Sequence, residues 1–308
     1  MGGDMIKALE DEVEGQGNIL EEFSARRLAK ARRGSIFVGA GDSYAAALAG
    51  FYGSGGSCIA VDPYHLASSP EIADGVDVFL ISVSGRTASN VAAASRIRGV
   101  ARRTVAITSD DKSKLAGLVD DVIRLPMSYE PRTPGLLSFS LSLLAVLKLI
   151  GVGQRCDFGG MFDSSVKDQG KITWGKGTTY FLGNNLAYPV AVYGAAKTYE
   201  FLGLKAHPEL LEEFSHLELF SLKASDTVNI FSSFDPQDES GRLAEALSRG
   251  GYEAQVIPTR GSSDIERVFN DVFVSQVSVL RRAREAGLSE PSFLSSAARL
   301  DASDSMIY

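Results

Sequence analysis

The sequence predicts an α/β protein: two doubly wound parallel-sheet units in tandem, preceded by an N-terminal helix. Three observations carry this prediction. From residue 34 onward, short apolar runs rich in β-branched residues alternate with small-residue helical stretches. Such alternation is expected where helices cover both faces of a parallel sheet. The rhythm breaks at a polar stretch, 152–178, and then restarts. A length of 308 residues also suffices for two modest units, each with its own core.

Taken in order, residues 1–33 form a helical arm opening on the polar "MGGDMIKALEDEVEG". The first unit, 34–152, begins with the strand "SIFVG" (35–39), the helix "SYAAALAGFY" and the strand "SCIAV" (57–61). "DVFLIS" (77–82) leads into the Ala-rich "ASNVAAASRIR"; "RTVAI" (103–107) and "DVIRL" (121–125) follow, and a helix over 135–150 closes the unit. Residues 153–177, with the lone Trp174, read as a linker or cap. The second unit, 178–290, takes its strands from "TTYFLG" (178–183), "TVNIFS" (227–232) and "EAQVIP" (253–258), with helices over 188–203, 238–249 and 264–286. "GLKAHP" (203–208) reads as a turn leading to a short helical stretch, and 291–308 as a tail. No short-period repeat is visible.

Composition narrows the function classes. A formal charge of −7 argues against nucleic acid as a partner, so any anionic ligand must be held by local donors. Cys58 and Cys156, the only cysteines, make neither a zinc framework nor a disulfide scaffold, which points to a reducing, cytoplasmic setting. No apolar run approaches the roughly 18 residues of a membrane span, and the polar start does not resemble a signal peptide.

Two turns carry chemistry. "GAGDSY" (39–44) joins the first strand to its helix; Gly39 and Gly41 let backbone approach a ligand, and Ser43 adds a hydroxyl. A helix N-terminus offers free N–H groups and a positive dipole end, so such a turn suits a phosphate. A dinucleotide would fit too, with Asp62 placed to bind a ribose, yet Tyr44 stands where that fingerprint needs a third small residue. "SVSGRT" (82–87) follows the third strand and supplies Ser82, Ser84, Gly85, Arg86 and Thr87. In the strand order 2-1-3-4-5, strands 1 and 3 are neighbours and their outgoing connections diverge, opening a crevice that both turns face. One compact phosphate gripped from two sides fits this crevice. The simpler alternative is that Thr87 only caps a helix.

Together, "GAGDSY" and "SVSGRT" resemble the phosphate-binding pair of the sugar isomerase (SIS) family, in which the first motif is commonly G-x-G-x-S and the second S-x-S-G-x-T. The resemblance spans both halves and implies flavodoxin-like units. In the second half, "YGAAKTYEFLGLKAHPELLEEFSHLELF" (193–220) is similar to the isomerase domain of glucosamine-6-phosphate synthase, and archaeal phosphoglucose isomerases of this fold share its glutamate-to-histidine spacing. By that resemblance Lys197 is a substrate-side cation, Glu200 the base and His216 the ring opener. His65 and His207 are given no role. Moving a proton between C2 and C1 of an opened sugar needs a carboxylate and an imidazole, with no metal and no organic cofactor.

The sequence departs from the family at Asp42, Val83 and Arg86. Asp42 should point away from a phosphate or pair with a cation, while Arg86 either grips the phosphate or stays exposed. The C-terminal "ARLDASDSMIY" lacks the synthase's Schiff-base lysine, and the N-terminus offers no glutaminase cysteine. The expectation is an aldose–ketose isomerase for a hexose or hexosamine 6-phosphate. A glucosamine-6-phosphate deaminase-like enzyme and a non-catalytic sugar-phosphate sensor are the alternatives. The resemblance also implies a homodimer, with the histidine lent across the subunit boundary.

Overall fold

The computed structural model describes residues 4–167, 172–232, 234 and 239–308. The chain forms two compact units. One comprises Asn18–Cys156 with Ser296–Tyr308, the other Met1–Gly17 with Asp157–Ser295. Helix α1 (Met5–Ala25) therefore contributes its beginning to one unit and its end to the other.

The first unit holds β1 (Ile36–Val38), α2 (Asp42–Gly53), β2 (Ile59–Val61), α3 (Pro63–Ser68), β3 (Asp77–Ile81), α4 (Ala88–Ile97), β4 (Arg103–Thr108), β5 (Asp121–Arg124) and α5 (Leu137–Leu149). Its sheet is wholly parallel with the order β2-β1-β3-β4-β5, as the sequence predicts. Every residue of β1 and β3 is buried, which explains why these strands read as unbroken apolar runs rather than alternating ones. Phe37 and Phe79, register partners, stack with centroids 5.1 Å apart. A Cβ at Gly50 would stand 2.5 Å from the Phe37 ring, so α2 lies close against the sheet only because that position is bare.

The second unit holds α6 (Phe158–Lys167), β6 (Thr179–Gly183), α7 (Ala187–Lys197), β7 (Ala206–Glu209), α8 (Leu211–His216), β8 (Thr227–Phe231), α9 (Glu239–Arg249), β9 (Glu253–Ile257) and α10 (Asp264–Glu285). Its parallel sheet runs β7-β6-β8-β9. The local packing of the first unit recurs here. Gly183 ends β6 as Gly39 follows β1, and at both a Cβ would crowd the residue four positions on, Ala187 or Ser43. Asn185 holds φ 51 where Gly41 holds φ 58, and Gly194 sits against the Phe181 ring as Gly50 sits against Phe37. The side chains differ enough that this duplication is hidden in the sequence.

Three segments differ from their sequence reading. "GLKAHP" is not only a turn: Ala206–Glu209 is the edge strand β7, where Pro208 is tolerated because its missing N–H can face outward. The stretch read as a linker or cap contains α6. Phe158 and Phe162, one helical turn apart, pack edge-on against Phe269 and Phe273 at 4.8 and 5.6 Å. The tail contains α11 (Ala297–Ile307), held to the first unit by an Arg132–Asp304 pair at 2.9 Å and a Tyr129–Tyr308 hydrogen bond at 3.0 Å. The arm is anchored as well. The Arg284 guanidinium donates from Nε and Nη2 to both Glu10 oxygens, at 3.1 and 2.9 Å.

No helix among the described residues is long and apolar enough to cross a membrane.

Candidate functional sites: two hydroxyl-bearing turns in one unit, a lysine–glutamate pair in the other

The β1–α2 turn is built on bare backbone. A side chain at Gly39 would collide with the Ser43 carbonyl. Gly41, the N-cap of α2, has φ 58 and ψ −129, a region closed to ordinary L residues. The chain then enters α2, with Tyr44 N and Ala45 N donating to Gly41 O at 2.9 and 3.1 Å. Asp42, in the first turn of the helix, directs its carboxylate at Gly135, where any side chain would collide with it. The Tyr44 phenol is pushed above its usual range, first by burial and then by the Asp62 carboxylate, so it stays neutral.

The β3–α4 turn is tied down more tightly. Ser82 N donates to Ile107 O at 3.0 Å, and Gly85 N to Ser82 O at 2.9 Å. The Val83 carbonyl accepts three bonds: Ser109 N at 3.0 Å, Thr108 Oγ1 at 3.0 Å and Ser109 Oγ at 2.9 Å. Gly85 has φ 61, and a Cβ there would overlap the Ser113 side chain. Thr87 sits at the N-cap of α4 yet makes no side-chain cap bond; its hydroxyl pairs with Ser82 Oγ at 3.1 Å. Ser84 Oγ accepts from Arg86 N at 3.2 Å. Arg86 itself is exposed, with Nη2 3.8 Å from Asp110 Oδ2. Because β1 and β3 are adjacent, both turns leave the carboxyl ends of neighbouring strands. That is the switch point at which doubly wound sheets bind ligands.

In the second unit, α7 runs into a π-helical turn, Thr198–Leu202, closed by Gly203 at φ 63. Such turns concentrate at functional sites. Lys197, last in α7, is 1% exposed, and its Nζ lies 2.5 Å from Glu200 Oε2, while the Glu200 side chain is 33% exposed. The carboxylate reaches solvent and the ammonium does not. Lys197, expected as a substrate-side cation, is buried with its ammonium against the Glu200 carboxylate. Nζ also lies 5.2 Å from the Tyr193 ring centroid. Tyr193 Oη accepts from Gln276 Nε2 at 3.1 Å, and Gln276 Oε1 from Gln16 Nε2 at 2.8 Å. Trp174 Nε1 donates to Thr198 Oγ1 at 3.2 Å. The sequence could not have revealed this support, because Gln16, Trp174 and Gln276 lie far from Lys197 along the chain. His216 ends α8, 69% exposed, with Nε2 3.1 Å from Glu212 Oε1. It presents its ring to solvent.

The dinucleotide alternative loses its acid. Asp62 is the N-cap of α3, and its Oδ1 accepts from Tyr64 N at 2.9 Å and His65 N at 3.0 Å.

No family model and no curated protein matches the chain in sequence. Solved structures do match in fold. A glucosamine-6-phosphate deaminase from Thermotoga maritima superposes with a TM-score of 0.74 at 22% identity, over 91% of this chain and 95% of the other. A tagatose-6-phosphate ketose/aldose isomerase from Escherichia coli gives 0.68 at 18% identity, over 92% and 90%. The C-terminal domain of the glucosamine-fructose-6-phosphate aminotransferase from Francisella tularensis gives 0.63 at 16% identity, over 92% and 95%. The chain has the tandem sugar isomerase fold. Each match covers about nine-tenths or more of both chains, so this fold accounts for both units and not for one alone. At identities this low the sugar isomerase fold is what the likeness establishes; the chemistry must be argued from this chain's own side chains.

Proposed function

We propose that the chain is a sugar-phosphate isomerase that interconverts an aldose and a ketose hexose 6-phosphate through a cis-enediol. The observation that carries the reading is the pair of turns at the β1/β3 switch point. There, backbone N–H groups at the start of α2 and the hydroxyls of Ser43, Ser82, Ser84 and Thr87 offer a dianion donors without a competing basic field. Gly41 and Gly85 hold these turns in shapes other residues resist. Arg86 is exposed and adds one charge-assisted bond to the dianion in this reading.

In this reading His216 moves a proton between the ring oxygen and O1 as the hemiacetal opens. Glu200 then takes the C2 proton, and the C1 carbonyl oxygen collects the electron pair and is protonated to give the cis-enediol. O2 then gives up its proton as the C2 carbonyl forms, and Glu200 returns its proton to C1. Lys197 holds the carboxylate in place. The exposed position of His216 suits its presentation by a second copy of the chain, which makes a homodimer part of the proposal. A deaminase on glucosamine 6-phosphate is the second reading, favoured by the match to a glucosamine-6-phosphate deaminase. It shares the binding step and differs in releasing ammonia.

The test is proton exchange. Incubated in deuterated water with glucose, fructose and glucosamine 6-phosphates, the protein should incorporate deuterium at C1 of the ketose and at C2 of the aldose. Glu200→Gln should cut that exchange by at least about 10²-fold while the ligand-induced rise in Tm persists. Undiminished exchange in Glu200→Gln removes the base assignment. Ligand stabilisation without exchange in the wild type identifies a sensor instead, and ammonia release selects the deaminase.

A further inference from the structure

His207, which the sequence left without a role, lies at the centre of a cluster that the proposed chemistry does not use. On edge strand β7, His207 and Glu209 are two residues apart and so project to the same face of the sheet. Tyr180, the register partner of His207 on β6, sets the imidazole edge-on with ring centroids 5.9 Å apart. The chain then runs through α8 and returns at Glu218, which opens a 3-10 turn (Glu218–Ser221). His207 Nε2 lies 3.7 Å from Glu209 Oε2 and 3.2 Å from Glu218 Oε1. One donor atom from each of the three residues lies within 4.8 Å of the others.

We propose that His207, Glu209 and Glu218 bind a divalent cation of the zinc class, which clips α8 between β7 and the 3-10 turn. Geometry favours a metal. Around a tetrahedral ion with bonds of about 2.0–2.2 Å, neighbouring donor atoms stand about 3.3–3.6 Å apart, the range these atoms already approach. Satisfaction favours it too. His207 Nε2 and Glu218 Oε2 are both sealed from solvent without a hydrogen-bond partner. The 3.2 Å approach of Nε2 to Glu218 Oε1 is close enough for an ion pair but lacks hydrogen-bond alignment. A proton on Nε2 would give one N–H, able to serve one carboxylate and not two. A cation serves all three at once, and sealed polar groups without partners are costly.

The donor set chooses the metal class. One imidazole with two carboxylates suits zinc over the all-oxygen coordination that calcium or magnesium takes, and three protein ligands leave a fourth position for water. The consequence is mechanical. The ion would tie Glu209, just before α8, to Glu218, just after it, and so fix the short helix that ends in His216. This binding assignment does not depend on the catalytic reading, and the metal takes no part in the proton transfers proposed above.

The experiment uses tag-free, chelator-stripped full chain titrated with ZnCl2 against a chromophoric competitor. The wild type should take up one equivalent with micromolar or tighter affinity. His207→Gln and Glu218→Gln should each weaken uptake by at least about 10-fold, and His65→Gln should leave it unchanged. Zinc should raise the wild-type Tm by several degrees and leave that of Glu218→Gln where it was. X-ray absorption of the zinc-loaded wild type, which does not depend on how any variant folds, should report one imidazole and otherwise oxygen ligands. Absence of stoichiometric uptake, equal uptake by both variants, or a spectrum showing two imidazoles or sulfur overturns the site.

Discussion

Gly85→Ala separates steric exclusion from backbone strain at the second turn, with Gly99→Ala as its control. Both glycines have positive φ, 61 and 79. At Gly99 a Cβ meets nothing within 4 Å, whereas at Gly85 it overlaps Ser113 and comes within 3.1 Å of Thr108 Oγ1. The left-handed conformation costs an alanine about 1–2 kcal/mol. Lost freedom in the unfolded chain returns about 0.4–1 kcal/mol of that, so Gly99→Ala should cost about 1 kcal/mol. Gly85→Ala adds an overpacking cost of about 1–3 kcal/mol, because Ser113 cannot retreat without moving Leu115 N, which donates to Gly85 O at 3.0 Å. At about 2–4 °C per kcal/mol for a unit of this size, Gly85→Ala should melt about 2–12 °C below Gly99→Ala in a calorimetric scan. It should also lose the stabilisation conferred by sugar phosphates, while Gly99→Ala keeps it. Melting of the two variants within about 1 °C of each other would refute the steric argument, since strain alone would then explain both.

Two further outcomes are expected. Glu200→Ala should destabilise by about 2–4 kcal/mol and Lys197→Met by about 1 kcal/mol or less, read by denaturant unfolding. The asymmetry follows from exposure: the first strands a buried ammonium, the second leaves a carboxylate that water can reach. Glu266→Ala should cost about 0.3–1.5 kcal/mol at pH 7, with a deficit that fades as pH falls. The Glu266 carboxyl is held below its usual value, chiefly by the Ser262 hydroxyl and also by Ser262 N and Ser263 N at the start of α10. A depressed folded value contributes its full stability above the unfolded value of about 4.3 and loses it as pH drops through the folded one. Melting curves of the two proteins should therefore converge as pH falls below about 4.3, and a deficit that stays constant through acid would exclude the carboxylate.

The sheet of the first unit was legible because its central strands β1, β3 and β4 are buried on both faces and its turns carry glycines with no other explanation. Gly39 and Gly41 announced a strand-to-helix turn, and the "SVSGRT" hydroxyls announced a second one at the neighbouring strand. Strand β7 was not legible. Its four residues include a proline and two charged or titratable side chains, and only the edge position makes that composition workable. Helix α6 was hidden for a related reason: Phe158 and Phe162 look like isolated aromatics in a polar stretch until α10 supplies Phe269 and Phe273 to receive them.

The same division runs through the site. Residue type and local spacing determined the α/β class, the two hydroxyl-bearing turns and the short-range pairing of Lys197 with Glu200, because each depends on neighbours within a few residues. The strand order of the first unit was expected only as the common one for a doubly wound sheet. Tertiary structure alone decided which member of that pair faces water, that Thr87 serves Ser82 instead of capping α4, and that His207 converges with Glu209 and Glu218. Burial and the meeting of distant groups follow from how the chain closes on itself, and no local pattern encodes them.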